Sequence, residues 1–266
     1  GQGAAARTAR AAYQFKNPPP TKPFRRGKFV NTEITNVEEG QRSFFFSQCP
    51  EESPRMPEVA VFGRSNVGKS SLINFITGRK LLSTVSKRPG HTKLIHHFAV
   101  DSSWYLVDLP GIGFAQAAFK KRQAMDKLVT AYIRHRGTLI EVLYLCDASL
   151  PPQDIDLHGI KWLTDAGVHL SIVFTKSDKE RRHTDINKGP VEEMAKALHD
   201  MDESPWRTGN KEMPQMFLTS ANAKTGREDV LKHLADLRQR CSPRGGGAGK
   251  DKVKTPSWRE PPEGIR

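Results

Sequence analysis

The stretch that decides the fold is GRSNVGKSS, residues 63–71, which directly follows the apolar run EVAVF at residues 58–62. Glycines let a backbone curl so that successive N–H groups face one anion, and a following helix points its positive dipole end at the same place. In the spacing G-x-x-x-x-G-K-[ST], the Lys reaches the outer phosphates of a nucleotide and the Ser hydroxyl binds Mg²⁺. The stretch therefore predicts a phosphate-binding loop at Gly63, Gly68, Lys69 and Ser70.

Apolar runs of strand length alternate along the chain with segments of helical spacing. The strand candidates are residues 58–62, 93–100, 104–109, 140–148, 168–175 and 215–220. The helix candidates are residues 69–77, 121–135, 153–166, 190–200 and 227–240. Because only three residues separate the second and third strands, these two are expected to form an antiparallel hairpin. The remaining alternation predicts one α/β domain, with six strands in a mostly parallel sheet, helices on both faces and ligands at the carboxyl ends of the strands.

The basic charge of the chain is concentrated at its two ends. The 266 residues carry a formal net charge of +13; residues 1–32 contain seven Lys or Arg and no acidic residue, and residues 241–266 contain six basic and three acidic residues. Few apolar side chains are available there for burial, which predicts disorder. We therefore expect a basic, largely disordered segment at residues 1–43, a folded domain at residues 44–240 and a disordered basic tail at residues 241–266. The ends are either solvated linkers or arms that contact nucleic-acid phosphates.

The acid-free start, GQGAAARTARAAYQF, resembles what is left of an organelle transit peptide. It predicts a location in the mitochondrial matrix, with the cytoplasm as the alternative. No stretch approaches the roughly 20 apolar residues that a membrane-spanning helix needs. Three widely spaced cysteines argue against a disulfide framework or a thiolate metal site.

Two further polar segments are expected to sense a nucleotide. DLPG, Asp108 to Gly111, follows the third predicted strand; its Asp can hold Mg²⁺ through water, and the N–H of its last Gly can meet a γ-phosphate. Thr92, in RPGHT, lies between the first helix and the second strand. Its hydroxyl can add to Mg²⁺ when the γ-phosphate is bound, which predicts an ordered and a disordered state of this segment.

The base is indicated by TKSD, residues 175–178, at the end of the fifth predicted strand. The Asp178 carboxylate can accept hydrogen bonds from N1–H and the amino group of guanine, whereas adenine lacks matching donors. The stem of Lys176 can lie along the purine face. TSA, residues 219–221, ends the next strand and can supply backbone N–H groups to the guanine oxygen. Together these loops predict GTP or GDP as the ligand.

The order and wording of these loops resemble the EngB family of Era-like ribosome-assembly GTPases. The resemblance extends from about residue 44 to residue 239 and is carried by PEVAVFGRSNVGKSSLIN, GRKLLSTVSKRPGHTKLIHHF, WYLVDLPGIGFA, DASLPPQDID and FTKSDK. It implies a GTPase that hydrolyses GTP to GDP and phosphate. It also implies a role in assembly of the large ribosomal subunit, through contacts with its rRNA or its assembly proteins.

The resemblance also implies roles for single residues. Hydrolysis is assigned to Lys69, Thr92, Gly111 and Asn66. Magnesium is assigned to Ser70, Thr92 and, through water, Asp108, and K⁺ to the side-chain carbonyl of Asn66, since a hard cation prefers oxygen ligands. Nucleotide contacts are assigned to Gly63, Ser65, Asn66, Val67, Gly68, Lys69, Ser70, Ser71, Asp108, Gly111, Thr175, Lys176, Asp178, Ser220 and Ala221.

Two positions depart from the commoner GTPase patterns. Ile112 stands where other families place a Gln that orients water. Because an apolar side chain cannot do so, slow intrinsic hydrolysis is expected without a partner or K⁺. Thr175 replaces the Asn of N-K-x-D, and this replacement is expected to weaken the tie between that loop and the phosphate loop.

Three functions remain open on the sequence. The first is a GTP-driven switch on the maturing large ribosomal subunit. The second is a GTP-dependent scaffold for proteins or an organelle membrane, without an RNA role. The third is a P-loop kinase that transfers the γ-phosphate to a small molecule, against which the D-x-x-G and T-K-x-D loops argue.

Overall fold

A computed structural model describes residues 32–52, 56–80, 82–83, 94–112, 119–179, 189–207 and 211–241 of the chain. These residues contain seven strands, β1 (Val37–Ser43), β2 (Glu58–Gly63), β3 (Ile95–Val100), β4 (Trp104–Asp108), β5 (Leu139–Asp147), β6 (Leu170–Thr175) and β7 (Gln215–Leu218). They also contain five α-helices, α1 (Lys69–Thr77), α2 (Phe119–His135), α3 (Asp154–Asp165), α4 (Pro190–Asp200) and α5 (Arg227–Cys241). All strands belong to one sheet in the order β1-β3-β4-β2-β5-β6-β7.

The centre of the sheet is parallel. Strand β2 pairs in parallel with β4 on one side and β5 on the other, and β6 and β7 continue the parallel order. Strands β3 and β4 form the predicted antiparallel hairpin, with His96 opposite Asp108. All six residues of β2 are buried, as its continuous apolar run predicts for a strand covered on both faces.

Helices cover both faces of the sheet, as predicted. Because side chains alternate along a strand, Val59 and Val61 face one way and Ala60 and Phe62 the other. The first pair packs in a core with buried residues of α1 and α5, and the second pair in a core with residues of α2, α3 and α4. None of the described helices is both long enough and apolar enough to cross a lipid bilayer.

The prediction of six strands was wrong by one, because β1 had not been recognised. This strand pairs antiparallel with β3 at the edge of the sheet, from Val37 opposite Val100 to Ser43 opposite Ile95. Its sequence, VEEGQRS, has a single apolar residue and is mostly exposed, so it lacks the alternation that identifies a half-buried strand. The sheet therefore begins before residue 44, inside the segment predicted to be largely disordered.

A buried ionic cluster lies at the amino end of β2. The carboxylate of Glu58, which is 1% exposed, accepts hydrogen bonds from Arg136 Nε at 2.8 Å, from the Thr138 hydroxyl at 2.7 Å and from the Tyr132 hydroxyl. His97 Nε2 lies 3.5 Å from the same carboxylate. Burial by itself raises the pKa of Glu58, but its contacts with His97 and Arg136 outweigh burial and lower the pKa to about 2. The ionised carboxylate is thus the form that this cluster stabilises.

Replacing Glu58 with Gln is expected to lower the free energy of unfolding by about 3 kcal/mol at pH 7, because the buried charge of Arg136 loses its buried partner. Since the pKa is about 2 in the folded protein and 4.5 as the ordinary value, this stabilisation is present above pH 4.5 and is lost as the pH falls toward 2. The difference between the two proteins in urea unfolding should therefore shrink over that range.

The matched control is Glu52→Gln, because Glu52 lies 3.7 Å from the same Arg136 guanidinium but its side chain is 40% exposed. An exposed pair contributes less than about 1 kcal/mol. Equal losses of stability in the two variants would contradict the assignment of the cluster to Glu58.

Candidate nucleotide-binding site

The phosphate loop, residues 63–71, leaves the end of β2 and enters α1 through a sharply curled backbone. Gly63 has a φ of 141° and Gly68 a φ of 116°, a region that favours glycine, and Asn66 at the exposed tip has a φ of 62°. A Cβ on Gly63 would lie 2.7 Å from the carbonyl oxygen of Leu145 on the neighbouring strand. Glycine is therefore required at Gly63 both by the backbone angle and by close packing.

Lys69, the first residue of α1, points back under the loop. Its side chain is largely buried, and its ammonium donates to the backbone carbonyl of Arg64 at 3.1 Å. Burial lowers the pKa of Lys69, while the charge of Asp108 acts in the opposite direction. Ser70 and Ser71 follow in the first helical turn and are half-buried. The ammonium of Lys69 thus lies against the backbone of the loop that is expected to hold phosphate.

Asp108 ends β4 beside the phosphate loop, because β2 and β4 are parallel and Val61 pairs with Asp108. The carboxyl group is 2% exposed; Oδ2 accepts a long hydrogen bond of 3.4 Å from the Ser83 hydroxyl. Within the part of the chain that the structure describes, Oδ1 is buried without a hydrogen-bond partner. Burial raises the pKa of Asp108 to about 6, against the opposing effect of the Lys69 charge. The site therefore contains a buried carboxylate oxygen that can accept a hydrogen bond, for example from a water molecule bound to a metal ion.

The end of the DLPG loop contacts the phosphate loop directly. A Cβ on Gly111 would lie 2.9 Å from the backbone carbonyl oxygen of Gly63 and 2.5 Å from the ammonium of Lys69, so a larger residue here requires the phosphate loop to shift. The N–H of Ile112 donates to the carbonyl of Gly63 at 3.1 Å, and the carbonyl of Ile112 accepts from the N–H of Ser65 at 3.1 Å. The backbone after Asp108 is thus hydrogen-bonded to the loop expected to hold phosphate.

The base loop, Thr175 to Asp178, is attached to the phosphate loop by two side chains. The Thr175 hydroxyl lies 2.5 Å from the carbonyl of Val67, and Lys176 Nζ donates to the carbonyl of Asn66 at 3.0 Å. Thr175 therefore ties the base loop to the phosphate loop, and the expectation that this tie is weaker than one made by Asn stays a prediction.

Asp178 is exposed at the end of the base loop and is held by the segment after β7. Its carboxylate accepts hydrogen bonds from the Ser220 hydroxyl at 2.5 Å and from Asn222 Nδ2 at 3.0 Å, which together lower the pKa of Asp178. The N–H groups of Thr219 and Ser220 are used within the fold, by the carbonyls of Phe174 and Thr225. Of the TSA motif, Ala221 is therefore the residue whose N–H can face a base, which narrows the earlier expectation.

Sequence reasoning missed two residues of this arrangement. Asp147, at the end of β5, accepts a hydrogen bond from Lys176 Nζ at 2.6 Å and so fixes the lysine whose stem is expected to lie along the purine. Its position at the carboxyl end of a buried strand is the same signal that identified Asp108. Asn222 follows the TSA motif by one residue, and nothing in the local pattern marked it as a partner of Asp178.

The structure brings the phosphate loop, the DLPG loop, the base loop and the segment around Ser220 to one edge of the sheet. Thr92 lies outside the described residues. The side chain of Asn66 is exposed at the tip of the phosphate loop. The remaining predicted site residues lie on the four segments named above.

The family model and the relative that match this chain are both described as GTP-binding proteins or GTPases. A family model described as 50S ribosome-binding GTPase matches residues 58–176. A probable GTP-binding protein EngB of Porphyromonas gingivalis is 41% identical over 192 residues, which cover 72% of this chain and 90% of that protein.

Solved structures share the fold. The crystal structure of a probable GTP-binding protein EngB matches with a TM-score of 0.52 at 21% identity, over 69% of this chain and 99% of that chain. The structure of Era in complex with MgGDPNP and a piece of 16S ribosomal RNA matches with a TM-score of 0.52 at 18% identity, over 73% of this chain and 59% of that chain.

Replacing Asp178 with Asn is expected to weaken GTP binding and to improve binding of xanthosine triphosphate, because the exchange of an acceptor for a donor suits the carbonyl that xanthine carries in place of the guanine amino group. Binding of both fluorescent nucleotides to wild type and variant measures the exchange. Unchanged affinity for GTP would contradict the assignment of Asp178 to the base.

Replacing Thr175 with Val keeps the side-chain shape but removes the donor to Val67. The affinity for GTP is expected to fall about tenfold, since leaving a buried carbonyl unpaired costs about 1–3 kcal/mol. Thr164→Val is the matched control: Thr164 is equally buried and bonds a carbonyl of its own helix, Ile160, at 2.9 Å. Titration with a fluorescent GTP analogue should show a change for the first variant alone, and a similar change in both would refute the tie.

Proposed function

Because the chain belongs to the EngB family of GTP-binding proteins, which are P-loop GTPases, we propose that it is a GTP-driven switch that assists assembly of the large ribosomal subunit in mitochondria. The observation that carries the guanine assignment is the Asp178 carboxylate, held by Ser220 and Asn222 beside a base loop that is bonded to the phosphate loop. The ribosomal part is supported by the relatives and by charge.

Guanine is recognised at the carboxyl ends of β6 and β7. The two donors that hold Asp178 fix the direction of its remaining lone pairs, which accept from N1–H and the amino group of guanine. The N–H of Ala221 donates to the guanine oxygen. Lys176 is held by Asp147 and by the carbonyl of Asn66, so its stem covers one face of the purine.

The phosphates are bound by backbone N–H groups of the phosphate loop and by the Lys69 ammonium. The loop contributes N–H groups from its curled part and from the start of α1, whose dipole favours the same anion. Ser65 and Val67 donate their N–H groups within the fold, to the carbonyls of Ile112 and Arg64, and Gly63 belongs to the sheet. The N–H groups that remain for phosphate are those of Asn66, Gly68, Lys69, Ser70 and Ser71.

The residues present fit Mg²⁺, since a buried oxygen of Asp108 has no hydrogen-bond partner among the described residues and Ser70 is the second residue of the adjacent helix. Ser70 and Thr92 would hold the ion directly and Asp108 through water. The ion would neutralise charge on the β- and γ-phosphates. Asn66, exposed at the loop tip, would supply an oxygen to K⁺.

Hydrolysis is expected to be slow without help. Ile112 cannot orient the attacking water by a hydrogen bond, and its backbone is bonded to Gly63 and Ser65. The Gly111 N–H donates a hydrogen bond to the γ-phosphate, so loss of that phosphate changes the conformation of the DLPG loop. A ribosomal partner, or K⁺ at Asn66, would then supply the missing stabilisation.

The ribosomal role is supported by two observations. The matching family model is described as a 50S ribosome-binding GTPase. Residues 1–32 carry seven basic and no acidic residues, which suits contact with RNA phosphates. The acid-free composition of this start supports a mitochondrial location.

The test is sedimentation of the tagged protein from mitochondrial lysate with GDP or with a non-hydrolysable GTP analogue, followed by probing of both subunit rRNAs. Comigration with the large subunit under the analogue alone is expected. Binding to proteins or membranes without either rRNA would overturn the proposal in favour of a scaffold.

The Asp178→Asn protein provides the matched control. It should comigrate with the large subunit when a non-hydrolysable xanthosine triphosphate analogue is present, and not with the guanosine analogue. Comigration that ignores the nucleotide in both proteins would show that the ends of the chain bind RNA without a switch.

A further inference from the structure

The motif DASLPPQDID, residues 147–156, ends in an aspartate that neither nucleotide nor metal recognition uses. Asp156 lies in the first turn of α3 and is 2% exposed. Its Oδ2 atom is 3.1 Å from Nε of Arg64, the second residue of the phosphate loop. Its Oδ1 atom accepts from the hydroxyl of Tyr144 on β5 at 3.3 Å. A buried carboxylate thus joins a helix, a strand and the loop expected to hold phosphate.

We infer that Asp156 and Tyr144 are positioning residues that hold the phosphate loop in its nucleotide-binding shape through the guanidinium of Arg64. This inference rests on the proposed function only in its use of GTP as the ligand of that loop. The ribosomal role has no part in it.

The backbone of Arg64 is where the positioning takes effect. Its carbonyl accepts the hydrogen bond from the Lys69 ammonium, and the residue forms an isolated parallel bridge with Ile112. A shift of the Arg64 backbone therefore moves Lys69, which reaches the outer phosphates. It also moves Ile112, next to the Gly111 N–H that contacts the γ-phosphate. When Asp156 holds the guanidinium of Arg64, the backbone of Arg64 keeps its position relative to Lys69 and Ile112.

The packing around Tyr144 is specific for this contact. Gly159 lies three residues after Asp156 on α3, and a Cβ there would be 2.5 Å from the Tyr144 hydroxyl and 3.0 Å from Cζ of its ring. A glycine inside a helix is unfavourable relative to alanine. Here it provides the space through which the tyrosine reaches the carboxylate.

The charge of Asp156 depends on Arg64. Burial raises the pKa of Asp156 to about 6, and the Arg64 charge opposes this rise. A buried ion pair is weak support for stability by itself, since apolar replacements are often as stable. What this pair adds is position, because the carboxylate meets the Arg64 side chain at one atom, Nε, in an ion-pair contact of 3.1 Å without hydrogen-bond geometry.

The experiment compares three variants of the full chain. Asp156→Asn removes the charge at nearly constant volume, and Arg64→Lys keeps a positive charge but lacks the Nε atom at which Asp156 meets the side chain. Asp165→Asn is the control on the same helix, where the carboxylate is exposed and pairs with Lys161 at 2.7 Å. Each protein is measured for the dissociation constant of a fluorescent GTP analogue, for the single-turnover rate of GTP hydrolysis and for the midpoint of urea unfolding.

Asp156→Asn and Arg64→Lys are each expected to weaken GTP binding or slow single-turnover hydrolysis by about tenfold or more, the cost of a misplaced binding group. Arg64→Lys should do so with an unfolding midpoint close to that of wild type, and Asp165→Asn should change neither nucleotide property.

If Arg64→Lys binds and hydrolyses GTP within twofold of wild type, the inference is overturned, whatever the stability of Asp156→Asn. A lower midpoint of urea unfolding in Asp156→Asn, with unchanged GTP binding and hydrolysis, would likewise show that the pair of Asp156 and Arg64 contributes to stability alone. Failure of the ribosomal proposal leaves these measurements unaffected, whereas failure of wild type to bind GTP would contradict the proposed ligand itself.

Discussion

The hydrogen bond from Thr175 to the carbonyl of Val67 joins two loops that are 108 residues apart in the chain. Lys176 adds a second bond to the next carbonyl, that of Asn66. Both contacts use backbone oxygens of the phosphate loop, so they act on its shape whatever side chains it carries. A ligand that binds one of the two loops therefore finds the other loop already in position. The free-energy cost of ordering both loops arises during folding and not during binding.

The central strand β2 is fixed at both ends by different means. At its amino end, Glu58 is held by Arg136, Tyr132 and Thr138 in a buried polar cluster. At its carboxyl end, the chain turns at Gly63 into the loop that faces the ligand. Since the neighbouring strands β4 and β5 are parallel to it, their own loops must open at the same edge. The buried cluster that stabilises the fold therefore lies at one edge of the sheet, and the loops that face the ligand lie at the other.

The sequence was sufficient for the elements that are buried on both faces and for the loops with a fixed spacing. Six strands and five helices were predicted because their apolar periodicity is set by the core, and the loops around Lys69, Asp108 and Asp178 follow strand ends. Strand β1 was missed because an exposed edge carries no such period. Asn222 and Asp147 were missed because their roles arise from contacts with residues 44 and 29 positions away, which no local pattern records.

The order of the strands has a consequence for synthesis on the ribosome. Strand β1 ends at Ser43, but its partner β3 begins at Ile95, and the partners of β2 begin at Trp104 and Leu139. Chains emerge amino end first, so both early strands must wait unpaired while the later ones are made. The β3–β4 hairpin is the first part of the sheet whose two strands are close in sequence, and hairpins form within microseconds. It is therefore the first pairing of consecutive strands that the emerging chain can make, and the nucleotide loop gains its contacts with the base loop only after the chain has passed Lys176.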